Sequence, residues 1–134
     1  DLAAANATPD DIDHLRRVME GMEAARGDPA GFAQRDAEYH RALAQATHNP
    51  LLVALLDSIR DLMREVRQLV ATQPGLAEMV LPYHRRLLER VIAGDARGAR
   101  REMREHLEQA RSVQEAALRQ QEAASAIRGI GGAT

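Results

Sequence analysis

Apolar residues recur along this chain in steps of three and four, the period of a helix face rather than of a strand. Ile12, Leu15, Met19 and Met22 form one such row. A longer one runs through Leu52, Leu56, Ile59, Met63, Val66 and Val70, widened by Leu55, Leu62 and Leu69. Further rows are Phe32–Leu43–Thr47, Val80–Leu87–Val91 and Ala99–Met103–Ala110–Val113. Helix punctuation falls between them. Thr8-Pro9-Asp10-Asp11 supplies an N-cap hydroxyl, a proline at the first helical position and acids on the positive end of the dipole. Gly27 closes that helix, and Asp28-Pro29 and Asn49-Pro50 repeat the start signal. The helix from Pro50 is expected to reach about Thr72, where Gln73-Pro74-Gly75 breaks it. A fourth runs from about Ala77 to Ala93, with Pro82 starting its regular part or kinking it. Gly94 stops it and Asp95 caps a last helix to about Gln121, leaving 122–134 as a frayed tail. The opening LAAANAT reads as the end of a helix already under way. No strand-like alternation competes, so the fold is expected to be all-α, an antiparallel bundle of about five to six helices.

Composition narrows the function classes. The 134 residues suit one domain with its own core, and a 45% hydrophobic content excludes compositional disorder. Aromatics are only 2%, so the core is built of Leu, Val, Ile, Met and Ala. A net charge of −2 without a basic stripe argues against direct nucleic-acid binding. The absence of cysteine removes disulfides, thiolate metal sites and thiol nucleophiles, and agrees with a cytoplasmic protein. No apolar run approaches the ~18 to 20 residues of a membrane span.

Polar residues interrupt three of the rows. Asp36 and His40, one turn apart, share a face with Phe32 and Leu43; His84 lies in the row of Val80 and Leu87; His106 follows Met103. A buried carboxylate or imidazole needs a partner. A lone histidine in such a row is more often a hydrogen-bonded core residue. Three histidines and one aspartate also match the nitrogen and oxygen donors that Zn²⁺, Ni²⁺, Mn²⁺ or Fe²⁺ accept, and spacing alone leaves both readings open. His14 sits off its helix's stripe, and His48 is placed in a last helical turn, where a cation suits the dipole. No HExxH, Glu-x-x-His, P-loop, dinucleotide or nucleophile-elbow pattern is present. The arginine-rich run from Arg97 to Arg104 reads as a solvated face.

Three segments, AAANATPDDIDHL, DAEYHRALAQATHNPLL and YHRRLLERVIAGDARGARREMREHL, resemble the C-terminal effector-binding (FCD) domain of FadR-type regulators in the GntR family. The likeness covers residues 1–121. Tyr39 departs from it, since phenylalanine is more usual before the histidine. The family's N-terminal winged helix-turn-helix and the first effector-domain helix have no counterpart here. The resemblance implies a bundle enclosing a cavity with a divalent metal, Zn²⁺ first, on Asp36, His40, His84 and His106. It also implies a small carboxylate effector, organic or sugar acid, completing the metal's coordination. A homodimer would then reach DNA only through the missing domain. Arginine is the natural second partner for a carboxylate, and Arg60, Arg64 and Arg67 are the candidates, with Arg60 and Arg67 preferred. The competing readings are a metal-dependent hydrolase or lyase using the same Asp/His site, and a structural bundle with hydrogen-bonded histidines. Against catalysis, no further Glu, Asp or Lys is placed on the seams that carry the ligands.

Overall fold

A computed structural model describes residues 1–62 and 64–131, with side chains described up to residue 126. Its elements are α1 (Leu2–Asn6), α2 (Pro9–Ala24), α3 (Pro29–Gln45), α4 (Pro50–Leu62), α5 (Arg64–Ala71), α6 (Leu76–Ile92) and α7 (Ala96–Gly131). Every described element is helical, as the three- and four-residue periods require. Met63, expected on the seam of the long helix, lies outside the described residues.

Three of the four helix starts marked in the sequence are capped by a side chain; Asp28 heads α3 without a side-chain cap hydrogen bond. Thr8 and Asp11 make a reciprocal capping box: Thr8 Oγ1 accepts from the Asp11 N–H at 3.3 Å, and Asp11 Oδ2 accepts from the Thr8 N–H at 2.9 Å. Asn49 Oδ1 accepts from the Leu51 N–H at 3.0 Å at the head of α4, and Asp95 Oδ1 from the Gly98 N–H at 2.9 Å at the head of α7. Gly94 ends α6 with φ 66°, a left-handed conformation that glycine adopts without strain.

Two expectations change and one is narrowed. His48 is not in a last helical turn. It follows the end of α3 with φ 54°, and its Nε2 lies 2.8 Å from Asp11 Oδ2, tying that turn to the start of α2. Pro82 sits inside α6 rather than at its start, which leaves only the second of its two expected places. Both it and Glu78, whose carbonyl loses a donor to the proline ring, are exposed, so water can serve that carbonyl. The expected tail from 122 is instead part of α7, which continues to Gly131. The run of Gln, Glu, Ala, Leu and Arg between Gln114 and Ala124 has high helix propensity, and no glycine or proline interrupts it. Residues 132–134 lie outside the described residues.

The core collects one face from each packed helix. Leu15 and Met22 of α2, Phe32 and Tyr39 of α3, and Leu81 and His84 of α6 are its largest fully buried side chains. α2 packs on α3 and α6 on α7 as short-loop hairpins. Each fully buried aliphatic or aromatic side chain contributes about 1.5–3 kcal/mol, so this layer fixes how α2, α3 and α6 face one another, and α7 joins them through its buried Ala99 and His106. That arrangement positions the site.

Candidate metal centre

Three helices each direct an imidazole into the same point of the core. α3 supplies His40, with Asp36 one turn before it; α6 supplies His84 and α7 supplies His106. His84 Nε2 and His106 Nε2 are 3.3 Å apart, and His106 Nε2 is 3.3 Å from His40 Nε2. One nitrogen from each of the three rings lies within 4.8 Å of the others. Asp36 Oδ1 stands 3.7 Å from His84 Nε2 and 3.8 Å from His40 Nε2. Asp36 therefore closes the fourth side, slightly farther out.

These spacings suit a small cation. A tetrahedral ion bonded to imidazole at about 2.0–2.1 Å separates neighbouring donors by about 3.3–3.4 Å. An octahedral one at the same bond length brings adjacent donors to about 3 Å. The two imidazole separations of 3.3 Å match the tetrahedral edge. The donor set of three nitrogens and one carboxylate oxygen fits a divalent transition metal chemically as well as geometrically.

The surroundings keep the rings neutral. Burial drives the His84 pKa well below its ordinary value, and the neighbouring His40 and His106 push it further down. His106 is lowered to about 4, chiefly by burial with His40 adding to it, while Asp36 opposes. Burial also lowers His40, partly offset by Asp36 and reinforced by Arg67 and Arg60. Neutral imidazole is the form that ligates, so the pocket presents lone pairs at neutral pH without first having to shed protons.

Packing holds the rings in place. Tyr39 stacks on His84 with centroids 4.5 Å apart at 26°, and its hydroxyl donates to the His84 carbonyl at 2.9 Å. Met22 Sδ lies 3.4 Å from His84 Nδ1. His40 stacks on His106 at 5.2 Å. Arg67 donates from Nη2 to Asp36 Oδ2 at 3.4 Å and to the Ala33 carbonyl at 3.5 Å, placing a guanidinium beside the carboxylate.

A cavity of about 280 Å³ opens beside the cluster, with Asp36, His40, His106, Arg60 and Arg67 among its walls. A larger groove of about 490 Å³ lies beyond Arg60 and Arg67 and takes in Pro29, Gln34 and Arg64. That groove reaches none of the histidines, so the smaller cavity is the one that matters for their chemistry.

The sequence-expected residues thus divide cleanly. Asp36, His40, His84 and His106 come together. Arg60 and Arg67 border the cavity, Arg60 lying 3.5 Å from Asp57. Arg64 points away, 70% exposed and paired with Asp61 at 3.2 Å. His14 is exposed, as its place off the stripe requires. One expectation is corrected: the ligand-bearing seams do hold a further acid. Glu102, one turn before His106, is 5% exposed and held by Arg86 at 2.8 Å and Arg90 at 3.7 Å. It sits within the run read as a solvated face, and the i−4 step from His106 is the signal that marks it.

The model of the FCD domain family matches residues 1–109. The chain is 30% identical over 109 residues to the "Putative L-lactate dehydrogenase operon regulatory protein" of Escherichia coli (strain K12), covering 78% of this chain and 42% of that protein. It is 30% identical over 115 residues to the "Uxu operon transcriptional regulator" of the same organism, covering 81% and 45%. To the "HTH-type transcriptional repressor NanR" of Salmonella bongori it is 33% identical over 85 residues, covering 63% and 30%. The chain spans less than half the length of these relatives.

Proposed function

The chain belongs to the FCD domain family, and from that premise we propose that it is the ligand-sensing part of a GntR-type transcriptional regulator rather than an enzyme. The observation that carries the reading is the convergence of three neutral imidazoles and one carboxylate on a cavity that two arginines also border. Asp36, His40, His84 and His106 would hold a divalent metal, with Zn²⁺ favoured by the tetrahedral edge and Ni²⁺, Mn²⁺ or Fe²⁺ compatible with the same donors. A bound ion supplies positive charge and open coordination at the cavity wall. Arg67, already beside Asp36, and Arg60 orient an incoming carboxylate by their planar N–H forks. The effector is accordingly a small organic acid. Its preference for one of two arrangements of a dimer would carry the signal to a DNA-reading domain, since a ligand shifts an equilibrium only by its differential affinity. The acid that the ligand seams do contain, Glu102, is locked between two arginines, which leaves no mobile proton acceptor there for catalysis.

Elemental analysis after Zn²⁺ loading and gel filtration tests the site. The unaltered chain is expected to retain about one ion, and His84→Ala and His106→Ala to retain far less at equal fold content. Full occupancy in both variants would remove the metal from the account.

A further inference from the structure

We infer that the acid taken by this cavity is a short aliphatic monocarboxylate, not a sugar acid or a dicarboxylate. This rests on the function proposed above and narrows it.

The argument is one of layers. His40, His84 and His106 lie at one level of the bundle. α3 and α6 climb to that level and α7 descends from it. One turn below stand Asp36, Val80 and Ala110, and two turns below stand Phe32, Leu76 and Gln114. At a rise of 1.5 Å per residue, eight residues make a shaft about 12 Å deep. Its charged groups crowd toward the histidine end: Asp36 faces the rings, Arg67 is bound to Asp36 and to the Ala33 carbonyl, and Arg60 is near enough to bear on the charge of His40. The rest of the wall is hydrocarbon, from Phe32, Leu56, Ile59, Val70, Leu76 and Val80. Among the described residues, Gln114 is the only uncharged polar side chain lining it besides the histidines; Arg60 is engaged with Asp57 at 3.5 Å, and the sequence contains no lysine that could answer a second carboxylate.

An acid whose head engages the metal and the arginines must lay its body against these hydrocarbon walls. A hydroxyl placed there without a partner weakens binding by roughly fivefold to a hundredfold. A sugar acid carries several and finds one amide. A methylene placed there gains instead, by about 0.8 kcal/mol or roughly fourfold in affinity. A cavity of about 280 Å³ is at the small end for ligand sites and limits the body to a few carbons.

Calorimetric titration of the whole chain, with and without Zn²⁺, tests this using acetate, butyrate, hexanoate, succinate and gluconate. Zn²⁺-dependent binding is expected to tighten by roughly fourfold per methylene from acetate to hexanoate. Gluconate is expected to bind at least tenfold more weakly than hexanoate, and succinate more weakly than butyrate. Val80→Thr, which keeps shape but adds a hydroxyl to the wall, should reduce the hexanoate-to-acetate ratio severalfold. Zn²⁺-dependent binding in which gluconate or succinate surpasses its aliphatic counterpart overturns the inference and leaves the metal-and-carboxylate reading standing. Binding of no acid in either state overturns that reading and this inference together.

Discussion

His84 is fully buried, stacked on Tyr39 and faced by two other imidazoles, and so has no room to carry a charge. The same burial lowers His40 and His106. In the unfolded chain each of these rings takes up a proton near pH 6.5, whereas the folded, metal-free chain resists doing so until the pH is much lower, about 4 for His106. Between those limits the unfolded state binds more protons, so stability is complete above about pH 6.5 and declines as the pH falls toward 4. Thermal unfolding of chelator-treated protein is expected to show a falling Tm from pH 7 to pH 5, a fall that largely disappears in a His84→Leu/His106→Leu variant. A Tm flat across that range would mean that the rings are solvated or already paired. At this scale much was legible. A histidine in an apolar row announces itself, because it breaks a period that otherwise holds. Glu102 did not, because neighbouring arginines made it look like one more member of a solvated charge run. Burial of a charge depends on partners from another helix, here Arg86 and Arg90 of α6, which no local pattern encodes.

Helices are placed by what they touch, and Tyr39 shows how one atom links two of them. Its ring belongs to the buried face of α3, and its hydroxyl reaches the carbonyl of His84 on α6. Burial raises its pKa, so it stays a donor. That carbonyl is also an acceptor within its own helix, so losing the hydroxyl leaves it only half served. Tyr39→Phe should therefore cost about 1 kcal/mol, the low end for a buried hydrogen bond. The ring stack on His84 survives the change, so metal retention is expected to stay near that of the unaltered chain. Urea unfolding with a lowered midpoint and unchanged slope, together with elemental analysis, checks both halves. A loss of several kcal/mol would mean that the hydroxyl orients the whole α3–α6 interface. From the sequence, Tyr39 registered only as a departure from the phenylalanine usual in that place, since tyrosine and phenylalanine obey the same helical period. Caps fared better, because the box at Thr8 and Asp11 and the aspartate at 95 are local and depend on no distant partner. The end of α7 fared worse: a stop had been expected near Gln121, but propensity carried the helix on to Gly131.

At the scale of the whole molecule, α4 presents a large apolar face that none of the described residues covers. Leu51, Leu55 and Leu62 of α4 are 78%, 57% and 83% exposed, and Ile59 between them is half exposed. The long hydrophobic row was evident from the sequence, but periodicity states only that a face is apolar, not what covers it. Within this chain α4 buries none of its residues completely, although its period is as regular as that of any core helix. Clustered apolar exposure on one helix supports the dimer proposed above, with this face as the contact. Leu55 and Leu62 are the positions to test, because neither lines the cavity and both are open to solvent, so charge there costs the monomer little. Sedimentation of the unaltered chain at tens of micromolar is expected to give a dimer, and Leu55→Asp/Leu62→Asp a monomer with Tm lowered only by the lost association. Retained metal and retained hexanoate binding in that monomer would place sensing within one subunit and leave to the dimer the task of transmitting it. A monomeric unaltered chain at that concentration would instead separate the α4 face from self-association altogether.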